Sequence, residues 1–190
     1  MQAHGPALVA ADFFTTEVWT ARGLVTYDPA FVIELHSRRV PVIGSTPYPD
    51  DAFVMPCRRQ MSRETDGVLR AGQSLICDRD STWSGAVEEF LETLGVRIVR
   101  TPPCAPNGNA YAERFVRSVK EECLNRVIPL GDWHLRRTLR EFAPHYHRER
   151  THQGLGNELI DRPATHRTTG AIRRRQRVGG MRSYYSRSAA

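Results

Sequence analysis

Three strand-like runs crowd into the first 46 residues, joined by turns too short to hold a helix, and this spacing limits the possible folds more than any other feature of the chain. LVAADFFTTEVW (Leu8–Trp19), GLVTYDPAFVIEL (Gly23–Leu35) and RRVPVIGST (Arg38–Thr46) are rich in β-branched and aromatic residues, the texture of strands. Parallel neighbours need a crossover of a dozen or more residues, so these short links predict antiparallel pairing. Farther on, SLICD (Ser74–Asp78) and VRIVR (Val96–Arg100) bracket SGAVEEFLETLG, in which Val87, Phe90, Leu91 and Leu94 share one helical face before Gly95. Strand, helix and strand in that order predict a parallel crossover. The expectation is an α/β domain with a mixed five-stranded sheet flanked by helices.

Between the third and fourth strands the pattern weakens. Pro47 and Pro49 open the segment, Asp50 or Asp51 can cap a helix ending near Gly67, and Pro56 falls inside it. An interior proline costs about 3 kcal/mol, so that helix is kinked or starts late. After the breaker-rich TPPCAPNGN, a long helix is expected from Ala110 to Val127, with Ala112, Phe115, Val116, Val119, Cys123 and Val127 on one stripe. A further helix follows from about Trp133 to Arg148.

With 190 residues the chain can bury one core and add a tail. No apolar run approaches the roughly 20 residues a membrane span needs, and the start lacks a basic region before an apolar stretch, so a cytoplasmic location with no membrane partner is expected. Cys57, Cys77, Cys104 and Cys123 form no C-x-x-C pair. They are expected as buried thiols, not as a zinc knuckle or a disulfide framework.

The net charge of +6 is unevenly spread: residues 162–190 hold eight arginines and no Asp, Glu or Lys, which leaves −2 on residues 1–161. The chain therefore divides into a body, 1–161, and a loosely ordered arginine-rich extension, 162–190, whose Arg173, Arg174, Arg175 and Arg177 are the densest positive cluster and candidate DNA contacts. Three carboxylates in the body suit divalent metal chemistry: Asp12 within the first strand, Asp78 at the end of the fourth and Glu113 in the long helix. An unpartnered Asp in an apolar strand is costly, which favours a metal or another partner at Asp12. Phosphoryl transfer with two divalent ions requires such oxygen ligands on rigid elements. Asp80, beside Asp78, reads as a turn or capping residue.

The runs LICDRD (Leu75–Asp80), APNGNAYAERFVRSVKEECLNRVI (Ala105–Ile128) and EFAPHYHRERTHQGLGNELI (Glu141–Ile160) resemble the integrase core of bacterial insertion-sequence transposases, within the retroviral integrase superfamily. Asp78 and Glu113 lie 35 positions apart and Lys120 follows Glu113 by seven, spacings similar to those of that family, as is the Asn109-Ala110-Tyr111-Ala112-Glu113 helix start. At seven residues, Glu113 and Lys120 differ by about 20° around a helix and about 10.5 Å along it, so they share a face. Arg117, one turn from Glu113, is placed to contact DNA or to pair with Glu113.

The resemblance implies a ribonuclease H-like fold and a metal-dependent polynucleotidyl transferase. Its catalytic and metal-binding residues would be Asp12, Asp78 and Glu113, holding two Mg²⁺ or Mn²⁺ ions. It would cut element ends and join the freed 3′-hydroxyl to target DNA as a homo-oligomer. Two other readings remain: a ribonuclease H-like nuclease without strand transfer, and an inactive relic that at most binds DNA. Relatives carry helical DNA-binding modules ahead of the core, whereas eleven residues precede Asp12 here; a separate recognition protein or a shortened gene copy is the expectation. His145, His147 and His152 resemble the family's histidine-containing stretch more than a zinc site, with Tyr146, Arg150 and His152 expected at the edge of the active site or on DNA. Trp19, Trp83 and Trp133 read as core or rim residues.

Overall fold

The computed structural model describes residues 8–50, 52–53, 56–57, 61, 67–78, 85–102, 109–162 and 169–187. Two compact units divide it, Met1–Arg136 and Arg137–Ala190.

In the first unit β1 (Leu8–Phe13), β2 (Thr16–Thr20), β3 (Gly23–Glu34), β4 (Val42–Thr46), β5 (Ser74–Cys77) and β6 (Arg97–Arg100) form one sheet. The first expected strand is interrupted at Phe14 and Thr15, yet β1 and β2 face β3 in a single antiparallel register, Asp12 opposite Phe31 and Thr16 opposite Tyr27. The Phe14 N–H donates to the Pro29 carbonyl across the break, 3.2 Å. A two-residue turn, Ala21 and Arg22, closes this ladder, and Gly23 supplies the positive φ of 98° that an L side chain resists. β4 adds antiparallel to β3, while β5 runs parallel to β1 and β6 parallel to β5. Counting β1 and β2 as one position, this is the mixed five-stranded sheet the short early links and the later crossover required.

Alternation along the strands gives each face its own helix. Val9, Ala11, Val32, Leu75 and Cys77 cluster with Val87 and Leu91 of α1 (Gly85–Thr93). Each of the buried Val and Leu side chains contributes about 1.5–3 kcal/mol. Gly95, at φ 71°, stops the chain beyond α1. On the opposite face Phe31 packs against Phe115 of α2 (Ala110–Glu122), ring centroids 4.8 Å apart, with Phe14 6.0 Å from Phe31. Ala112, Phe115 and Val119 are the buried stripe of α2. That helix ends earlier than its apolar stripe suggested: Cys123 leaves helical geometry at φ −136° while its N–H still reaches the Val119 carbonyl, and a 3₁₀ turn, Leu124–Arg126, follows.

α3 (Gly131–Arg148) begins in the first unit. Asp132 in its first turn accepts the Ser45 hydroxyl from β4 at 2.6 Å and pairs with Arg136 at 2.8 Å. In the weak segment, Asp50 Oδ1 accepts the Phe53 N–H at 3.0 Å, the expected capping bond. Pro56 lies in helical backbone, and most of the remaining expected helix, like Asp80, Trp83 and Cys104, lies outside the described residues. Cys57, Cys77 and Cys123 are buried and form no disulfide. Among the described residues no helix is long and apolar enough to cross a membrane.

In the second unit the rings of Phe142 and Tyr146, one turn apart on α3, lie 6.0 Å apart and tilted by 37°, and the buried His152 sets its ring edge-on to Tyr146 and its Nε2 2.8 Å from the Tyr146 carbonyl oxygen. The arginine-rich end, expected as a loose extension, forms an antiparallel hairpin, β7 (Ile172–Arg177) with β8 (Arg182–Arg187). Gly179 and Gly180, both at positive φ, make the turn that its charge density obscured.

Candidate active site

Asp12 leaves β1 on the sheet face covered by α2, because its ladder partner is Phe31 and Phe31 packs on Phe115. The half-buried carboxylate is held from two sides. Its Oδ1 accepts the Phe13 N–H at 2.8 Å, and its Oδ2 accepts the Asn109 amide at 3.1 Å. Asn109 is the residue from which α2 starts, and its own Oδ1 is buried with no hydrogen-bond partner among the described residues. An oxygen acceptor left open beside a carboxylate suits a hard cation or an ordered water.

One turn into α2, Glu113 is exposed and lines the same open cleft as Asp12, with Arg117 and Lys120 farther along the helix. The cleft encloses about 440 Å³. Through Lys120 and Asn125 it adjoins a second cavity of about 570 Å³ that reaches Trp19, Leu24 and Ile128.

Asp78 follows β5 directly. The parallel register, Leu8 with Ser74 and Ala10 with Ile76, carries on to Asp12 with Asp78, and both fall on the α2 face. Ladder pairing stops two residues short of them, and Asp78 does not line the cleft. Cys77, whose side chain joins the α1 cluster, feels both aspartates: burial pushes its thiol up to about 11, Arg100 opposes that, and the charges of Asp78, Glu88 and Asp12 add to it. Arg100 in turn binds Glu88 at 2.9 Å. Among the described residues no three His, Cys, Asp or Glu side chains converge as a metal-binding group. The structure thus unites Asp12 and Glu113 and sets Asp78 on the neighbouring strand end.

Residues 94–158 match the family model described as Integrase core domain. No curated protein matches the sequence. Among solved structures, the catalytic core domain of BIV integrase superposes with TM-score 0.55 at 16% identity, over 82% of this chain and 91% of that one. The fold is that of an integrase catalytic core. The HTLV-2 integrase catalytic core domain, solved with magnesium in a dimeric form, gives TM-score 0.59 at 9% identity, over 82% and 94%. A chain of the simian T-cell lymphotropic virus intasome, solved with PP2A regulatory subunit B56 gamma, gives 0.57 at 13%, over 89% of this chain and 62% of that one. The family match takes in Glu113, Arg117 and Lys120 and leaves out Asp12 and Asp78.

Several residues singled out in the sequence have defined surroundings in this fold. Arg117 pairs with Glu121, 3.6 Å, and not with Glu113. Trp19 and Trp133 are exposed, so neither is a core residue. His145 faces Glu149 at 3.4 Å, and Tyr146 and His152 are buried in the second unit, away from solvent. Of the tail arginines, Arg177 is engaged with Glu149 at 3.1 Å, whereas Arg173, Arg174 and Arg175 are exposed. Asn109 was legible only as part of the helix-start motif; its bond to Asp12, 97 residues away in sequence, carried no local signal.

Proposed function

We propose that this chain is the catalytic domain of a DNA transposase or integrase, a metal-dependent polynucleotidyl transferase that cleaves element-end DNA and joins the freed 3′-hydroxyl to target DNA. The observation that supports it best is the shared cleft of Asp12, Glu113, Arg117 and Lys120 in an integrase-core fold. Residues 1–161 form the catalytic body in this reading and 162–190 the arginine-rich extension. Asp12, Asp78 and Glu113 are the ligands for two Mg²⁺ or Mn²⁺ ions, and the open Asn109 Oδ1 beside Asp12 is compatible with such an oxygen-rich site. When bound, the ions supply Lewis acidity to the attacking and leaving oxygens.

The protein's own groups do the remaining work. Asn109 and the Phe13 N–H fix the Asp12 carboxylate, so its orientation precedes substrate binding. Lys120 and Arg117 offer cations to the phosphates of a strand lying in the cleft. The HTLV-2 core was solved as a dimer, and we extend that to a homo-oligomer bridging two DNA ends here.

Asp12→Asn, Asp78→Asn and Glu113→Gln are each expected to abolish Mn²⁺-dependent cleavage or joining while leaving the thermal unfolding midpoint near wild type. They should also remove the rise in that midpoint caused by Mn²⁺ alone. Asp80→Asn should retain most activity. Full activity in Asp78→Asn with loss in Asp80→Asn would reassign the second carboxylate.

A further inference from the structure

The β7–β8 hairpin has two faces of different character. Strand alternation places Arg173, Arg175 and Arg177 with Ser186, Tyr184 and Arg182 on one, and Ile172, Arg174 and Gln176 with Arg187, Tyr185 and Ser183 on the other. The first face is partly covered along β8: Arg182, Tyr184 and Ser186 are half-buried, and Tyr184 lines a cavity with Glu149, Thr151 and Asn157. On the same face Arg177 donates to Glu149 at 3.1 Å. All six residues of the second face are exposed. Arg174 stands directly opposite Tyr185, and Arg187 is diagonal to Arg174, a separation of about 7–8 Å between such positions.

We infer that this outward face, Arg174, Tyr185 and Arg187, is a docking surface for the sugar-phosphate backbone of duplex DNA, and that Arg177 is an anchor for the hairpin. The inference rests on the proposed function for its choice of polyanion. Charge complementarity carries the rest: residues 162–190 hold no acidic side chain, while residues 1–161 carry −2 and do not by their net charge attract a phosphate backbone. Arginine forks suit phosphate oxygens, and a tyrosine between them offers a hydroxyl donor and a flat apolar ring at little entropic cost. Six exposed side chains without a carboxylate read charge and shape, not base sequence. The contact is therefore sequence-independent.

The test uses the full chain and a random-sequence duplex, with affinity followed against salt. Removing one arginine–phosphate interaction should lower the slope of log affinity against log salt by about 0.9, so R174A/R187A is expected to flatten it by about 1.8. R174K/R187K should keep the slope, because a point charge still releases counterions, and Y185A should weaken binding with the slope unchanged. An unchanged slope in R174A/R187A overturns the proposal, as does an equal fall in R173A/R175A with none in R174A/R187A. An acidic polypeptide that displaces duplex DNA from wild type but binds R174A/R187A equally well overturns it too. Failure of the proposed chemistry reads differently. A chain that never cuts DNA but loses its salt slope in R174A/R187A keeps the docking surface and rejects the strand-transfer reading.

Discussion

Two arginines each face a carboxylate, and the contrast separates a cation available to a ligand from one committed to the fold. Arg117 in the cleft lies 3.6 Å from Glu121 one helical turn away, and the two side chains are 79% and 65% exposed. Arg177 at the end of β7 lies 3.1 Å from Glu149, and there the exposures are 27% and 4%. A solvated i,i+4 pair contributes about 0.3–0.5 kcal/mol and breaks readily when a phosphate competes. A nearly buried carboxylate cannot lose its partner so cheaply, because it has been removed from water. Composition treats both as arginines in a basic protein; burial decides what each can do.

The largest effect should follow from breaking the buried pair. Arg177→Ala leaves Glu149 with His145, 3.4 Å away, and is expected to cost about 3 kcal/mol, toward the low end for a broken buried ion pair because Arg177 keeps some access to solvent. Amide exchange in β7 and β8 should accelerate with it. A loss below about 1 kcal/mol, with β7 and β8 still protected, would mean that the hairpin holds itself and that Arg177 is as replaceable as Arg117.

Alkaline pH distinguishes the two regions by chemistry. Burial raises the thiols of Cys57 and Cys77 from 9.0 to about 11, so between those values the folded state keeps protons that the unfolded state has released. Stability from these thiols is complete below pH 9 and is lost as pH rises toward 11. Guanidinium groups do not titrate in that window. A denaturation series should show the first unit weakening between pH 9 and 11, and Cys57→Ala/Cys77→Ala should flatten that fall. An identical alkaline fall in the double variant would remove the thiols from the account.

Much of this architecture could be read in advance because its signals are local. Period-two runs and short links determined the antiparallel strands, and Val87, Phe90, Leu91 and Leu94 marked the crossover helix. The spacing of Asp78, Glu113 and Lys120 was legible for the same reason, since all of it lies along one stretch of chain. The Asn109–Asp12 bond was not, because it joins residues 97 apart that meet only when α2 packs on Phe31. The hairpin was hidden for another reason. Arginine at four of the six positions of β7 gives no alternation of apolar and polar residues to mark a strand, and only the tertiary partner Glu149 tells Arg177 from Arg174.

The smallest effect is the most informative about the cleft. Glu121→Gln removes the partner of Arg117 and one negative charge from the cleft lining. Stability should change by less than about 0.5 kcal/mol, since both groups are largely solvated. Under the proposed function, Arg117 is then free to meet phosphate without first leaving a carboxylate, and affinity for duplex DNA should rise by about twofold at low salt, the size of the broken pair. Raising the salt should erase the gain, because screening weakens an exposed pair and an exposed phosphate contact alike. Arg117→Ala should remove it at any salt. If Glu121→Gln left affinity unchanged while Arg117→Ala lowered it, Arg117 would already be free in solution; if neither variant changed it, the DNA path would run past Lys120 without touching this side of α2.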